Sequence, residues 1–188
     1  AGEAVFVPST GILDAAEYVK RLAVYLQEKG VAILLNCRVT GCRGTTLETT
    51  RDEIECDLVV NSAGLQADEI ASMAGLEGYT IKPCRGDYYL LHQAPVARPV
   101  YHPPTEGAHG LGVHLTPTLD GQTLVGPNAF FVDDKTDYRH RSTPETFAAA
   151  VRYYIPSLAR SALAAGYSGN RPKLFYRDAP VKDFTVIR

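Results

Sequence analysis

The length, composition and charge of the chain set the first limits on its function. It has 188 residues, of which 45% are hydrophobic and 21% are charged, and its formal net charge is -2. This is enough for one large domain or two small lobes with a real core. Lys and Arg form no cluster, which argues against nucleic acid as a partner. No apolar run approaches the roughly 20 residues that span a bilayer, so we expect a soluble protein, or one that is peripheral to a membrane.

The two ends of the chain look like interior sequence. Residues 5–7 and residues 184–187 are apolar and β-prone, whereas natural termini are usually polar and frayed. The chain also begins at Ala1 without an initiator Met. These features favour a fragment of a longer protein. The alternative is a stand-alone binding domain with natural termini at Ala1 and Arg188.

The first third of the chain predicts an α/β arrangement. Asp14, with Glu17 three residues later, resembles a capping box, and Gly30 is a typical helix stop. The apolar residues between them recur at helical spacing, which predicts an amphipathic helix packed on a flat surface. Residues 31–35 then read as a short strand covered on both faces.

A second α/β segment follows. Residues 38–60 alternate turn signals with β-prone stretches, which predicts a small meander that feeds a buried strand at 58–60. The small residues 61–64 come next, and a short helix is expected over 66–74. Such a turn allows the backbone to approach a phosphate or a flat ring closely, although tight packing alone also selects small residues there.

The second half reads mainly as antiparallel β-structure. A strand is predicted over 87–92, and residues 113–116 pair with 122–125 across a Gly-containing turn. One helix begins at Thr143, with Pro144 in its first turn, and ends before Pro156. Its predicted apolar face is Phe147, Val151, Tyr154 and Ile155.

The expected class is therefore a mixed α/β or α+β protein in three parts. Residues 1–76 form a mixed α/β lobe, residues 77–165 form an antiparallel-sheet lobe, and residues 166–188 return toward the first lobe. The four cysteines, Cys37, Cys42, Cys56 and Cys84, match no common zinc spacing. We expect no metal site and reduced thiols, with a Cys37–Cys42 disulfide as the alternative.

Five segments in chain order resemble one family of flavoenzymes. They are Val7-Pro8-Ser9-Thr10-Gly11-Ile12-Leu13-Asp14, Val59-Val60-Asn61-Ser62-Ala63-Gly64, Arg85-Gly86-Asp87-Tyr88-Tyr89, Gly110-Leu111-Gly112-Val113-His114-Leu115-Thr116 and Gly169-Asn170-Arg171-Pro172-Lys173. This order resembles that of the L-2-hydroxyglutarate dehydrogenases and oxidases. They belong to the wider FAD-dependent amino-acid oxidase superfamily, alongside glycine oxidase and glycerol-3-phosphate dehydrogenase.

The resemblance implies a fold and an activity. The first part of the chain would be the remainder of an FAD-binding, Rossmann-like lobe, and the antiparallel sheet would bind substrate. The parent protein would oxidise a 2-hydroxy acid, most specifically L-2-hydroxyglutarate to 2-oxoglutarate, and pass electrons to a quinone or to oxygen. Its expected location is cytoplasmic, or peripheral on the inner membrane. The alternatives are a related flavoenzyme acting on glycine or glycerol 3-phosphate, and a non-catalytic domain.

One motif expected from the resemblance is absent. The family's dinucleotide fingerprint, G-x-G-x-x-G, occurs nowhere in the 188 residues, and the spacing of Gly107, Gly110 and Gly112 does not match it. The resemblance places the fingerprint before the equivalent of Ala1, and a closing segment after Arg188. We therefore expect this chain by itself to bind FAD poorly and to be inactive.

The resemblance also assigns substrate-side roles. Arg171 matches the position that binds substrate carboxylate, for which a planar guanidinium is suited. Lys173 lies two residues further, so on a strand both cations share a face, and Lys173 would bind a second carboxylate or lie near the flavin. His114 is the base candidate. The alternatives are a surface ion pair for Arg171 and a packed histidine for His114.

The remaining candidates would surround the cofactor and the pocket. By resemblance, Arg85 and Gly86 lie near the flavin edge, and Tyr89 and Tyr101 line the substrate pocket, although strand aromatics more often serve packing. For FAD, the turn that approaches the cofactor is matched by Ser62, Ala63 and Gly64, and the adenine-contacting backbone position is matched by Val39.

Overall fold

A computed structural model describes residues 4–92, 96–102, 112–153, 155–183 and 185–187. Gly107, Gly110, Tyr154 and Phe184, on which sequence predictions fall, lie outside these residues. The described helices are α1 (Ala15–Glu28), α2 (Ala67–Met73) and α3 (Pro144–Val151). The described strands are β1 (Val39–Arg43), β2 (Thr46–Thr49), β3 (Glu53–Glu55), β4 (Tyr79–Leu91), β5 (His114–Pro117), β6 (Thr123–Gly126), β7 (Phe130–Phe131), β8 (Leu163–Tyr176) and β9 (Ala179–Pro180).

The chain divides into two compact units. Unit 1 comprises Ala1–Glu28, Gly86–Phe130 and Tyr138–Gly169. Unit 2 comprises Lys29–Arg85, Phe131–Asp137 and Asn170–Arg188. Strands β4 and β8 contribute residues to both units. The predicted three-part division of the chain stays a prediction, and the predicted mixed α/β class with antiparallel sheets is confirmed.

Helix α1 begins where the sequence predicts. The Asp14 carboxylate accepts a hydrogen bond of 2.9 Å from the Glu17 backbone N–H, which caps the first turn. The Glu17 side chain does not return to complete a capping box, because it binds Arg21 one turn later at 2.7 Å. Gly30 follows the helix with φ of 82°, a conformation that suits glycine at a helix end. Of the large apolar side chains of α1, Leu26 is half-buried and the others are exposed, so the described residues do not show the predicted packing of its face.

Unit 2 contains a three-stranded antiparallel sheet in the order β1-β2-β3, which confirms the predicted meander. Four segments predicted as strands are wrong in their described residues: 5–7, 31–35, 58–60 and 184–187 are not strands. The Leu35 and Val60 side chains are 73% and 75% exposed. A strand requires a hydrogen-bonded neighbour, and none of the described strands pairs with these segments.

The larger sheet has the order β5-β6-β4-β8-β9, and β7 also pairs with β4. The predicted hairpin is confirmed, because β5 pairs antiparallel with β6 and His114 lies opposite Gly126. The core of unit 1 lies on this sheet and under α3. Its buried apolar residues are Tyr89, Leu91, Leu115, Val125, Phe147, Ala148, Val151 and Leu163.

Helix α3 is shorter than predicted. Pro144 occupies its first turn as expected, and Phe147 and Val151 are fully buried. The helix ends at Val151, before the predicted end at Pro156. A proline disfavours the helical conformation in the residue that precedes it, and residues 152 and 153 already form a turn. None of the described helices is long and apolar enough to cross a membrane. All four cysteines are free thiols.

A buried carboxylate holds unit 1 together. Asp87 of β4 is fully buried, and its oxygens accept hydrogen bonds from four donors. Three of these are the Ser142 hydroxyl at 2.6 Å, the Ser142 N–H at 2.9 Å and the Ser168 hydroxyl at 2.7 Å. The fourth is the Arg141 N–H at 3.0 Å. One side chain thus joins β4 to β8 and to the segment that precedes α3.

The same contacts change the acidity of Asp87. Burial would raise the pKa of its carboxyl group, but the hydrogen bonds from Ser142, Ser168 and the Arg141 backbone together lower this pKa below its usual value. The native state therefore retains the ionised form at a pH where the unfolded chain takes up a proton. This contribution to stability is complete above the unfolded pKa, about 3.9, and is lost as the pH falls through the native pKa.

We predict that Asp87→Asn lowers the free energy of unfolding by about 2–4 kcal/mol, because an amide cannot accept from all four donors. Urea unfolding of the chain between neutral pH and about pH 3 measures both effects. The variant should also lose part of the acid-dependent destabilisation that the wild type shows. The exposed Asp57, changed to Asn, is the matched control. Equal stability of Asp87→Asn and Asp57→Asn at neutral pH would contradict the assignment.

Candidate cofactor and substrate sites

The two units divide the predicted site residues between them. Unit 1 contains Gly86, Tyr89, Tyr101 and His114, and unit 2 contains Val39, Ser62, Ala63, Gly64, Arg85, Arg171 and Lys173. The cofactor candidates, apart from Gly86, therefore share unit 2 with both substrate-side cations. The base candidate shares unit 1 with the two pocket tyrosines.

An asparagine side chain shapes the small-residue turn of unit 2. The Asn61 amide N–H donates to the Ala67 carbonyl at 2.8 Å, and the Asn61 amide oxygen accepts from the Ala63 N–H at 3.2 Å. Gly64 adopts φ of 59°, which favours glycine. Asn61 was not among the predicted site residues, although an Asn that precedes small residues is a recognised turn signal.

A cavity of about 880 Å³ lies beside this turn within unit 2. This volume falls in the range of small-molecule and cofactor pockets. Two of the predicted FAD positions, Val39 and Ala63, line the same cavity, and Ser62 and Gly64 are chain neighbours of Ala63. The other lining residues are Arg38, Thr40, Leu47, Val59, Val60, Asn61, Gln66, Glu69, Ile70, Met73, Asp134, Lys135 and Thr136.

Two cations line this cavity, but only one is neutralised by neighbouring acids. The Lys135 ammonium lies 2.6 Å from an Asp68 oxygen and 3.1 Å from a Glu69 oxygen. Burial lowers the pKa of Lys135, but the contacts with Asp68 and Glu69 outweigh this effect and raise the pKa above its usual value. Burial likewise opposes ionisation of Asp68, but the Ile81 N–H and Lys135 lower the pKa of its carboxyl group. The Arg38 guanidinium is exposed and, among the described residues, makes no ion pair.

The Arg85 side chain makes polar contacts in the interior of unit 2. It is fully buried, its Nε donates to the Asn170 amide oxygen at 2.7 Å, and its guanidinium lies 3.8 Å from an Asp137 carboxylate oxygen. The Asn170 amide N–H groups donate to the carbonyls of Lys135 and Asp137, each at 3.0 Å. Arg85 and Asn170 therefore fix the segment that carries Lys135 into the cavity wall. Asn170 and Asp137 were missed because only the folded chain brings them to Arg85.

Strand β8 places Arg171 and Lys173 on one face. Side chains alternate along a strand, and the neighbouring, half-buried Asn170 lies on the opposite face. Arg171 is exposed and Lys173 is half-buried. Arg171 and Lys173 are thus two residues apart on one face, as the sequence predicts for a strand. Their roles in binding stay predictions.

The pocket candidates of unit 1 have different surroundings. Tyr89 is buried, and its hydroxyl donates to the Ser142 carbonyl at 2.7 Å, so it packs in the core. Gly86 is needed for close packing, because a Cβ there would lie 2.8 Å from the Pro127 side chain. Tyr101 is half exposed and stacks on His114, with ring centroids 4.4 Å apart and planes at 29°.

His114 has a defined hydrogen bond. It is 9% exposed, and its Nδ1 lies 2.9 Å from the Gly112 carbonyl oxygen. Because a carbonyl oxygen can only accept, Nδ1 carries the hydrogen. The neutral ring then has its lone pair on Nε2, which is the form required of a general base. No group of three or more His, Cys, Asp or Glu in the described part of the chain could hold a metal ion.

Comparison with known proteins identifies the family. The model of the family described as FAD dependent oxidoreductase (DAO) matches residues 1–186, so the chain belongs to this family. FAD is the cofactor of the family. The cavity of unit 2 is consistent with it, since it has the size of a cofactor pocket, an apolar wall and a cationic side chain at Arg38.

The chain is similar to individual dehydrogenases of known name. The chain is 36% identical over 146 residues to L-2-hydroxyglutarate dehydrogenase from Escherichia coli, a match covering 73% of this chain and 35% of the relative. It is 32% identical over 178 residues to glycerol 3-phosphate dehydrogenase from Caloramator mitchellensis, covering 90% of this chain and 37% of the relative.

A solved structure supports the same fold. L-alpha-glycerophosphate oxidase from Mycoplasma pneumoniae, whose structure has FAD bound, matches with a TM-score of 0.66 and 27% identity. That match covers 82% of this chain and 43% of the oxidase. The chain thus spans about 35% of the length of the curated relatives it matches.

Proposed function

We propose that the whole protein oxidises L-2-hydroxyglutarate to 2-oxoglutarate with FAD as its cofactor. The observation that carries this proposal is the pair of cations on one face of β8, Arg171 and Lys173. A dicarboxylate presents two anionic groups, and two cations can hold both of them. The relatives named L-2-hydroxyglutarate dehydrogenase, at 36% identity, support the same substrate.

The two cations have unequal roles in this proposal. Arg171 binds the C1 carboxylate that adjoins the reacting carbon, because its planar guanidinium can form two parallel hydrogen bonds and so fix orientation. Lys173 binds the distal carboxylate as a point charge, which requires less exact geometry. Together they orient C2 and its hydroxyl group.

His114 acts as the base. Its Nε2 takes the proton of the C2 hydroxyl group, and its Nδ1–H stays bonded to the Gly112 carbonyl, which stabilises the imidazolium. FAD, when bound, supplies the two-electron oxidant that accepts the hydride from C2. The proposal keeps a quinone or oxygen as the electron acceptor that follows. It keeps the cytoplasm or the periphery of the inner membrane as the location.

We assign the cavity of unit 2 to the binding of part of the FAD molecule. The 188 residues contain no G-x-G-x-x-G, so the cavity alone does not provide the usual phosphate grip. In this proposal Val39 and the turn at Ser62, Ala63 and Gly64 approach the cofactor through their backbone. Arg38 is the cation available to a phosphate oxygen. Weak binding of FAD by this chain alone stays a prediction.

The remaining site residues predicted from the sequence have supporting roles in this proposal. Arg85 acts as a positioning residue in this proposal, since its guanidinium already binds Asn170 and Asp137. Gly86 stays a candidate near the flavin edge, and Tyr101 stays a candidate in the substrate pocket. Tyr89 packs in the core beneath the proposed pocket.

Oxidation of glycerol 3-phosphate is the second candidate. It is favoured by the Caloramator relative, which matches 90% of this chain, and by the oxidase from Mycoplasma pneumoniae. A phosphate would require both cations at one end of the substrate, whereas L-2-hydroxyglutarate separates its two anionic groups. Substitution of Lys173 therefore distinguishes the two substrates.

We predict that Lys173→Ala in the whole protein raises KM for L-2-hydroxyglutarate about 10- to 100-fold, since a charge-assisted hydrogen bond contributes about 1.5–3 kcal/mol. The same substitution should leave KM for the monocarboxylate 2-hydroxybutyrate nearly unchanged. Arg171→Ala should impair both substrates, because both have a C1 carboxylate. Steady-state kinetics measures these effects, with the exposed Lys182, changed to Ala, as the control. An unchanged KM for L-2-hydroxyglutarate in Lys173→Ala would overturn the dicarboxylate assignment.

We also predict that Ala63→Leu weakens FAD binding at least about tenfold, because a larger side chain occupies the cavity beside the turn. The measurement is the FAD content and dissociation constant of the whole protein. Ala74→Leu is the matched control, since Ala74 follows α2 and does not line the cavity. If both variants bind FAD as the wild type does, the cavity is not the cofactor site.

A further inference from the structure

Two neighbours of the base candidate in unit 1 are the Gly112 carbonyl, which binds its Nδ1, and the Tyr101 ring, which stacks on it. We propose that Gly112 and Tyr101 are positioning residues that fix the tautomer and the plane of the His114 ring, so that Nε2 is the proton acceptor. The proposal rests on the proposed function in one respect, namely that His114 serves as the base. Its structural content can be tested without turnover.

Gly112 determines which ring nitrogen carries the hydrogen. Its carbonyl oxygen lies 2.9 Å from Nδ1 of His114, and only an N–H can donate to it. The hydrogen bond made by one ring nitrogen sets the state of the other. In the neutral ring the hydrogen is therefore on Nδ1 and the lone pair on Nε2.

The direction of this carbonyl depends on a left-handed backbone. Gly112 has φ of +74°, a conformation that is unfavourable for a residue with a Cβ but not for glycine. A Cβ at this position would meet no atom within 4 Å. A substitution here therefore changes the backbone preference without causing a clash. Asn tolerates this conformation better than a β-branched residue does, which provides a matched pair of variants.

Tyr101 determines the plane of the ring. Val100 and Leu115 exchange two backbone hydrogen bonds, of 2.8 and 3.0 Å. In an antiparallel pair the next residues, Tyr101 and His114, are then direct cross-strand neighbours on one face. Their rings are stacked with centroids 4.4 Å apart. On the other side, His114 lies opposite Gly126, which has no side chain, so the Tyr101 ring can lie flat against the imidazole on this face.

The two contacts act on one proton transfer. The C2 hydroxyl group would lose its proton to Nε2 as the C–H bond breaks, and the hydrogen of that bond would leave with its electron pair to the two-electron oxidant that FAD supplies when bound. The positive charge that develops on the ring is shared with the Gly112 carbonyl through Nδ1–H. A ring in the other tautomer would present an N–H where the base must accept.

The first test reads the tautomer directly. Long-range ¹H–¹⁵N NMR of the ¹⁵N-histidine-labelled chain, with His114 assigned through His114→Gln, distinguishes Nδ1–H from Nε2–H in the neutral ring. We expect Nδ1–H in the wild type and in Gly112→Asn, and a shift toward Nε2–H in Gly112→Val. Observation of Nε2–H in the wild type overturns the proposal.

The second test measures the effect on the reaction in the whole protein. Gly112→Val and Tyr101→Ala should lower kcat about 10- to 100-fold with little change in KM, and Tyr101→Phe, which preserves the stack, should restore kcat. Thermal unfolding of each variant checks that it folds. A folded Gly112→Val with wild-type kcat overturns the positioning role. If the wild type shows the Nδ1–H tautomer but does not oxidise L-2-hydroxyglutarate, the proposed function fails while the assignment of the ring stands.

Discussion

Unit 1 depends on one buried carboxylate. The side chain of Asp87 binds Ser142 and Ser168, and its backbone N–H donates to the Asn128 side chain at 2.9 Å. The Asp87 carbonyl oxygen lies against Gly126, and a Cβ at Gly126 would be only 2.8 Å from this oxygen. Gly126 in turn is the strand partner of His114. The position of the proposed base is therefore connected to a charge whose burial is tolerated only because its donors are fixed around it.

Unit 2 also buries a charged side chain, but this charge is positive. The buried guanidinium of Arg85 is balanced by Asp137 and oriented by Asn170. Asn170 also holds the segment that brings Lys135 to the cavity. Arg171, the next residue on β8, lies on the other face of the strand and is exposed. One strand thus combines a structural polar face with a face that presents cations, and the alternation of side chains keeps the two roles separate.

The sequence predicted best those features that depend on near neighbours. Helix α1 and the β5–β6 hairpin follow from capping and turn residues a few positions apart, and the shared face of Arg171 and Lys173 follows from strand alternation. Residues 31–35 were misassigned as a strand because strand formation depends on a distant partner, and apolar composition alone does not supply one. The hydrogen bonds of Asp87 and Asn170 join residues that are 33 to 85 positions apart in the chain. Only the folded sheet reveals them.

In the proposed function, two cations on one strand, Arg171 and Lys173, select a dicarboxylic 2-hydroxy acid for oxidation by FAD. The most direct test is to mix the whole, FAD-loaded protein with L-2-hydroxyglutarate in the absence of oxygen and any other acceptor, and to follow the absorbance of the oxidised flavin. The account predicts that this absorbance is lost stoichiometrically as 2-oxoglutarate forms, and that glycerol 3-phosphate and glycine leave it unchanged. Loss of the absorbance with glycerol 3-phosphate but not with L-2-hydroxyglutarate would contradict it.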